Sequence, residues 1–583
     1  MLLSRPPRPT LDGGADPPPH ARRPDGAGGS GTGDRPRGLP TRRLLRSTVT
    51  VACAGAVAFT AACGTAAAPA APPAPAAVTA GLPPGGVPDV PVPVIEWRDA
   101  GDGYQEATAA VPYDYADPGG RSLPLHMVRL PATDPAHRIG TLFLNYGGPG
   151  YPAAATLRAG GQAMFPPEVL ARYDLVGVDQ RGTGQSSPVR CVDDPVELLA
   201  LPYATGDDFP TTPAEEAEAI AQARRLAEAC RARNGDLLDH VGTLPAARDL
   251  DVLRAALGDS RINLVGFSYG TFLGQVVANV FPDRVGALVL DGVVDPAWAT
   301  GEDDSISWLR ANADRGSAET LQEFFRLCAE AGPQRCAFAA GGDPERAYAE
   351  LAERLRAEPL AVSVAGGPAR PFGYAELTRL TFSAVGLYIA PLWPLFAELL
   401  QAASVGDTDT MAEVLAVIRQ FAPPGLEDYP TANAAIACAD TDNPDDPQRY
   451  RELADLRDES VAPYAGSPWA YGTLTCAFWH GQSTERHTGP WTTATRTPVL
   501  LVSTRHDPAT PYRSAVRVHD LLPDNALLIV DGVGHGALAS SSCAMHLAGQ
   551  YLLTGATPAA GTVCPQDRGP FDPPPAAPTE EPS

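Results

Sequence analysis

Ile262-Asn263-Leu264-Val265-Gly266-Phe267-Ser268-Tyr269-Gly270 is a short apolar run that ends in the pattern G-x-S-x-G. The stretch after it, Thr271 to Val280, reads as a helix, so the pentapeptide sits where a strand turns sharply into a helix. Such a turn strains the serine backbone and pushes its Oγ out above a sheet. The glycines are needed because side chains beside the serine would collide. Gly and Ser are common, so the pentapeptide alone is a weak signal. Its neighbours along the chain decide the reading.

Near-continuous apolar runs flank it. Gly140 to Asn145 and Tyr173 to Asp179 precede it, Val285 to Leu290 follows it, and Val499 to Ser503 and Ala526 to Val530 lie far downstream. Runs without alternation fit parallel strands covered on both faces. Ala107 to Tyr115 and Leu123 to Leu130 read as opening strands. A helix is expected from Pro213, with Thr212 as cap and Glu215 completing a capping box, and its apolar face is Ile220, Ala223, Leu226, Ala227 and Cys230. Leu244 to Leu257 reads as a second helix.

A serine nucleophile needs a base, and the base needs an orienting carboxylate. The last two strands each lead to a candidate: Asp507 in His506-Asp507-Pro508, and His535 in Gly534-His535-Gly536. His506 is the competing base, but it precedes the acid within the same loop. The order Ser268, Asp507, His535 is that of the α/β-hydrolase fold. An oxyanion hole needs two backbone N–H groups. Tyr269, after the nucleophile, is one candidate donor. Gly148, in the glycine-rich Gly147-Gly148-Pro149-Gly150 after a strand, is the other.

Composition narrows the class. The 583 residues are 44% hydrophobic and 19% charged, enough for a sizeable core, and the net charge is −24. No basic cluster appears beyond the N-terminus, so nucleic acid is not an expected partner. The chain has no lysine, which excludes a P-loop, a pyridoxal phosphate Schiff base and a Ser-Lys dyad. No metal or other cofactor is implied.

The N-terminus reads as a targeting segment. Thr41-Arg42-Arg43-Leu44-Leu45-Arg46 precedes an apolar run from Val49 to Ala62, too short to span a bilayer but suited to a signal peptide. The twin arginine hints at a Tat signal, although Arg46 stands where an apolar residue is usual. Thr60-Ala61-Ala62-Cys63-Gly64 resembles a lipobox, in which Cys63 would carry the lipid. A soluble secreted protein cut nearby is the alternative. Cys191, Cys230, Cys328, Cys336, Cys438, Cys476, Cys543 and Cys564 form an even set, which in an exported chain points to disulfides. Spacing alone does not choose among their connectivities.

Together Gly147-Gly148-Pro149-Gly150, Asp179-Gln180-Arg181-Gly182-Thr183-Gly184 with Ser186, Arg248-Asp249-Leu250-Asp251, Ser268-Tyr269-Gly270-Thr271 and Gly534-His535-Gly536 resemble the tripeptidyl aminopeptidase-like branch of the proline iminopeptidase family. The Cys438-Ala439-Asp440 and Cys543 to Cys564 segments are similar to that branch too. The resemblance spans about residues 94 to 565. It implies exported exopeptidases that release short peptides or residues from free N-termini. It also implies disulfides 191–230, 328–336, 438–476 and 543–564. This chain departs from the pattern at Tyr146, at Tyr151-Pro152 and in lacking a cysteine pair near Trp97 and Glu106, which bears on substrate preference.

Such an enzyme holds a protonated amine with carboxylates. Asp440, beside Cys438, is the first candidate, with Asp442, Glu302 and Asp303 behind it. The organisation expected is a signal region over 1–63, an Ala/Pro-rich linker over 64–93 and a first core part over 94–296. A helical cap over 297–490, a second core part over 491–566 and a disordered tail over 567–583 follow. The cap aromatics either line a substrate pocket or hold the cap together. The expected function is an exported or lipid-anchored serine hydrolase, foremost an aminopeptidase on peptide substrates. The rivals are a carboxylic-ester hydrolase and a non-catalytic binding lipoprotein.

Overall fold

The apolar runs at 140–145, 173–178, 262–267 and 285–291 become neighbouring strands of one sheet in the computed structural model. The structure describes residues 83–193, 209–301, 304–382, 392–418, 428–479, 481, 483 and 485–573. The expected signal region, Cys63, most of the linker, Glu302 and Asp303 lie outside the described residues, as does the tail from 574.

In chain order the strands are β1 (Arg98–Gly101), β2 (Tyr104–Pro112), β3 (Ser122–Leu130), β4 (Gly140–Asn145), β5 (Tyr173–Val178), β6 (Ile262–Phe267) and β7 (Val285–Asp291). A small hairpin, β8 (Leu360–Val362) with β9 (Arg370–Phe372), stands apart. The main sheet resumes with β10 (Val499–His506), β11 (Asn525–Val533) and β12 (Val563–Pro565). The order across the sheet is β1-β2-β3-β5-β4-β6-β7-β10-β11-β12. The first three strands and the β3–β5 pair are antiparallel, and from β5 onward every pairing is parallel. This is the α/β-hydrolase architecture that the order of motifs implied.

The strand runs lack alternation because both faces are covered. Leu142, Leu144, Val265, Val289, Leu500, Val502, Leu528 and Val530 pack on one side, with Tyr551 and Leu552 of the helix Ser542–Thr554. Phe143, Leu264, Leu288 and Leu501 face the other side, towards the helices Thr243–Ala256 and Tyr269–Val280. The helix Pro213–Asn234 begins with the expected capping box. Its buried stripe is Ala219, Ala223, Ala227 and Cys230, at steps of three and four, while Ile220 and Leu226 stay half-buried at its edges.

Between β7 and β10 the chain is mostly helical. Its aromatics pack on one another: Trp298, Trp308, Trp469 and Phe382 form one chain of ring contacts, and Phe324, Phe325, Trp393 and Phe396 another. Burial of this kind holds the insertion together. All four disulfides pair as the resemblance implied: Cys191–Cys230, Cys328–Cys336, Cys438–Cys476 and Cys543–Cys564.

Candidate active site

Ser268 follows β6 directly and has φ 54° and ψ −123°, a conformation that a side-chain-bearing residue adopts only under constraint. The constraint is local crowding. A Cβ on Gly266 would stand 2.2 Å from the Gly270 carbonyl oxygen, and one on Gly270 would stand 2.7 Å from Asn145 Oδ1. The elbow therefore closes only with glycine at both places. The Ser268 N–H donates to the Asp291 carbonyl at 2.9 Å, tying the turn to the end of the adjacent strand β7.

Asp507 follows β10 and His535 follows β11, so the three residues leave the same edge of the sheet from β6, β10 and β11. His535 Nδ1 lies 2.9 Å from both Asp507 oxygens. A carboxylate only accepts, so Nδ1 carries the hydrogen. Asp507 is held in turn by the N–H groups of Ala509 (2.9 Å) and Thr510 (2.8 Å) and by the Thr510 hydroxyl (3.0 Å). That hydroxyl is also 3.2 Å from His535 Nδ1. His506 ends β10 opposite Val533, and the acid's histidine partner is His535. The imidazole lies over Gly292, where a Cβ would be 3.1 Å from Cε1. Gly292 is one residue beyond the carbonyl that takes the Ser268 amide, so the ring and the elbow share one short stretch of backbone.

Sequence reasoning missed Asp291. Fully buried at the end of β7, its carboxylate accepts from the N–H groups of Ala537 and Leu538, each at 2.9 Å, in the loop that carries His535. Burial pushes its pKa up to about 6, against the two amide bonds that favour the charged form. One residue thus fixes the elbow through its carbonyl and the histidine loop through its side chain. The available signal was an aspartate closing an apolar strand in front of a glycine.

The glycine-rich loop packs onto the elbow. A Cβ on Gly147 would meet the Phe267 carbonyl oxygen at 2.5 Å and Ser268 Cβ at 2.8 Å. The Gly147 N–H donates to Asn145 Oδ1 at 3.0 Å. Among the described residues no acceptor takes the N–H of Gly148 or of Tyr269. The Tyr269 amide adjoins Ser268 in the chain, the Gly148 amide follows the glycine that packs on it, and undonated amides aimed at a serine hydroxyl can stabilise a developing oxyanion. Tyr151 leans on Tyr429, their ring centroids 4.6 Å apart, so the departure from small residues there is filled by an aromatic contact from the insertion.

The Asp-Gln-Arg-Gly motif is structural. Arg181, fully buried, uses all five N–H donors, on Asp249 twice and on the carbonyls of Pro112, Tyr113 and His240. Asp440, the first candidate for the amine, already has a partner within the protein. It is 3% exposed, and both of its oxygens accept from Thr243, at the start of the helix Thr243–Ala256. Asp442 is half-exposed and paired with Arg486 at 2.8 Å.

A family model described as TAP-like protein matches residues 462–564, and one described as alpha/beta hydrolase fold matches residues 140–320. The chain is 32% identical over 489 residues to a tripeptidyl aminopeptidase of Streptomyces coelicolor, covering 81% of this chain and 86% of that one. It is 31% identical over 473 residues to the serine protease Hip1 of Mycobacterium tuberculosis, covering 78% and 86%. A carboxylesterase B of the same organism is 32% identical over 475 residues, covering 79% and 86%.

Proposed function

This chain belongs to the TAP-like family of α/β-hydrolases, and from that premise we infer that it is a serine hydrolase, and more finely an aminopeptidase acting through an acyl-enzyme. The observation that carries the chemistry is the pairing of His535 with Asp507 beside the backbone that holds the strained Ser268 elbow. In this reading His535 Nε2 takes the proton of Ser268 Oγ as the oxygen attacks a carbonyl. Asp507 keeps the tautomer and stabilises the imidazolium. The amides of Tyr269 and Gly148 receive the oxyanion. The imidazolium then protonates the leaving amine, and water releases the acyl group by the same steps in reverse.

The peptidase reading rests on the relatives named tripeptidyl aminopeptidase and serine protease. The relative named carboxylesterase B keeps ester hydrolysis as a specific second reading, because one triad cleaves both bonds. Free-amine peptide amides, their N-acetylated forms and p-nitrophenyl esters compared by kcat/KM decide between them. Free-amine peptides are expected to lead, and esters ahead by orders of magnitude would replace this reading with the second. Ser268→Ala is expected to abolish turnover and fluorophosphonate labelling. Label retained on that variant would overturn the site.

The four disulfides favour a location outside the cytoplasm. We place the lipid anchor on Cys63. The intact mass of the exported protein should show a diacylglyceryl adduct there, and a plain cut N-terminus would remove the anchor.

A further inference from the structure

We propose that Asp440 and Thr243 are positioning residues: a buried strut that runs from the cap helix Tyr429–Asp440 to the phenol of Tyr269 and sets the amide that the oxyanion hole uses. The proposal rests on the reading of the hole given above and assigns Asp440 a different task from binding the substrate amine.

The strut is continuous. Thr243 Oγ1 lies 2.5 Å from Asp440 Oδ2 and 2.5 Å from the Tyr269 hydroxyl oxygen. Gln180 Nε2 donates to that same phenol oxygen at 3.0 Å. Each hydroxyl has one hydrogen, so a carboxylate end fixes the direction of the whole chain. Gln180 donates to Tyr269, Tyr269 donates to Thr243, and Thr243 donates to Asp440. The members are buried, and bonds aligned this way in a low-dielectric interior reinforce one another. Burial also keeps the Tyr269 proton in place by pushing its pKa well above the ordinary value.

The carboxylate has a second hold. Gly242 stands at the N-cap of Thr243–Ala256 and has no side chain with which to cap. Asp440 supplies the missing acceptor from the cap helix, taking the Thr243 N–H at 2.9 Å and 3.0 Å. A Cβ on Gly242 would stand 2.7 Å from Asp440 Oδ1, so the bare glycine makes room for it. The positive end of that helix favours a negative charge at this point.

Tyr269 is the first residue of the elbow helix, next to Ser268. Its ring packs edge-on against Trp298 at 5.9 Å while its hydroxyl is held by Thr243 and Gln180. A side chain fixed along its length fixes its own backbone, and with it the direction of the amide. The same cap helix reaches the other half of the hole. Asn433 Nδ2 donates to the Pro149 carbonyl at 2.9 Å, and a Cβ on Gly148 would meet Tyr429 at 3.1 Å. One helix therefore sets both donors.

Tyr269→Phe removes only the hydroxyl, and Thr243→Val and Asp440→Asn cut the next two links. With p-nitrophenyl acetate and with a free-amine peptide amide, each is expected to lower kcat about 10-fold and to leave KM within about twofold. Outright loss of such a donor costs about 10²–10³. Fluorophosphonate labelling should slow by the same factor, and Tyr269→Phe/Asp440→Asn should be no slower than the slower single variant. A rise in KM confined to the free-amine peptide, with ester turnover and labelling unchanged, would overturn the strut and return Asp440 to the amine. Unchanged kcat in Tyr269→Phe would overturn it even where Asp440→Asn does not fold. Wild-type protein that takes no label at Ser268 would sink the reading of the site and this proposal with it, and is told apart because the wild type itself is silent.

Discussion

Gly147→Ala tests whether the glycine-rich loop works by touching the elbow. The new Cβ would lie 2.5 Å from the Phe267 carbonyl oxygen, 2.8 Å from Ser268 Cβ and 3.3 Å from the Tyr269 nitrogen, where ordinary contact begins at 3.4 Å. Two of these neighbours are backbone, and the third is the Cβ of Ser268, so none can rotate away. The loop must retreat by about 1 Å, a displacement that can cost about 10²-fold in rate. If the Gly148 amide leaves with it, the loss is about 10²–10³ in kcat, or roughly 2.7–4 kcal/mol. Alanine at φ +88° adds about 1–3 kcal/mol of backbone strain, which lowers stability whatever happens at the site. Gly561→Ala separates the two effects, since it has φ +77° with no atom within 4 Å of the added Cβ. Both variants should melt a few degrees low. Only Gly147→Ala should lose kcat and fluorophosphonate labelling rate, with KM little changed. Turnover within threefold of wild type in a folded Gly147→Ala protein would refute a working role for the contact between this loop and Ser268.

Thr510→Val removes the hydroxyl that donates to Asp507 and lies beside His535 Nδ1. A hydrogen bond to a charged group contributes about 1.5–3 kcal/mol, so kcat should fall roughly 10- to 100-fold in steady-state assays while KM holds. A change under twofold would show that the backbone amides suffice to orient the acid. Asp458, in the cap, accepts from Gly466 N–H and from Ser467 N–H and hydroxyl, and burial raises its pKa from 3.8 to about 6. The folded protein thus holds that proton more tightly than the unfolded chain. This group's contribution to stability is complete below pH 3.8 and declines as pH rises towards 6, by about 3 kcal/mol in all. The unfolding free energy of the wild type minus that of Asp458→Asn should fall by roughly 2.5 kcal/mol from pH 4 to pH 7. A difference independent of pH would refute the raised pKa.

What the sequence made legible was local. The strands β4 to β7, β10 and β11 could be read because a sheet covered on both faces needs runs such as Leu142-Phe143-Leu144 and Leu500-Leu501-Val502, whereas the short hairpin β8–β9 inside the insertion gave no such run. The elbow, and the meeting of Asp507 with His535, could be anticipated because each of the three residues follows such a run with a residue type of narrow purpose. The ends of these elements moved slightly: Asp179 leaves β5 to accept the Ala154 N–H at 3.0 Å, and a side-chain bond of that kind leaves no periodic trace. Asp291 was passed over because an acid at a strand end looks like a turn former until the histidine loop folds back onto it from more than 240 residues away. Asp440 poses the same difficulty. Its neighbour Cys438 gave it prominence, but its partner, Thr243, lies 197 residues earlier in the chain. Sequence periodicity reports which face of an element is buried and says nothing about which distant backbone amide a buried carboxylate meets.

This distinction bears on how the insertion between β7 and β10 should be regarded. As a stretch of chain it separates cleanly, since helices replace strands at both boundaries. As machinery it does not separate. The helix Tyr429–Asp440 touches the Gly147–Gly150 loop through Asn433 and Tyr429, and it caps the helix Thr243–Ala256 through Asp440. The helix Ala313–Ala331 reaches the acid's loop, where the Ser317 hydroxyl donates to the Pro508 carbonyl at 2.8 Å. The insertion therefore bears on the Gly147–Gly150 loop, on the start of the helix Thr243–Ala256 and on the loop that carries Asp507. A lid that only gated access could be removed at the expense of selectivity. Removing this one should lower the reactivity of Ser268 itself.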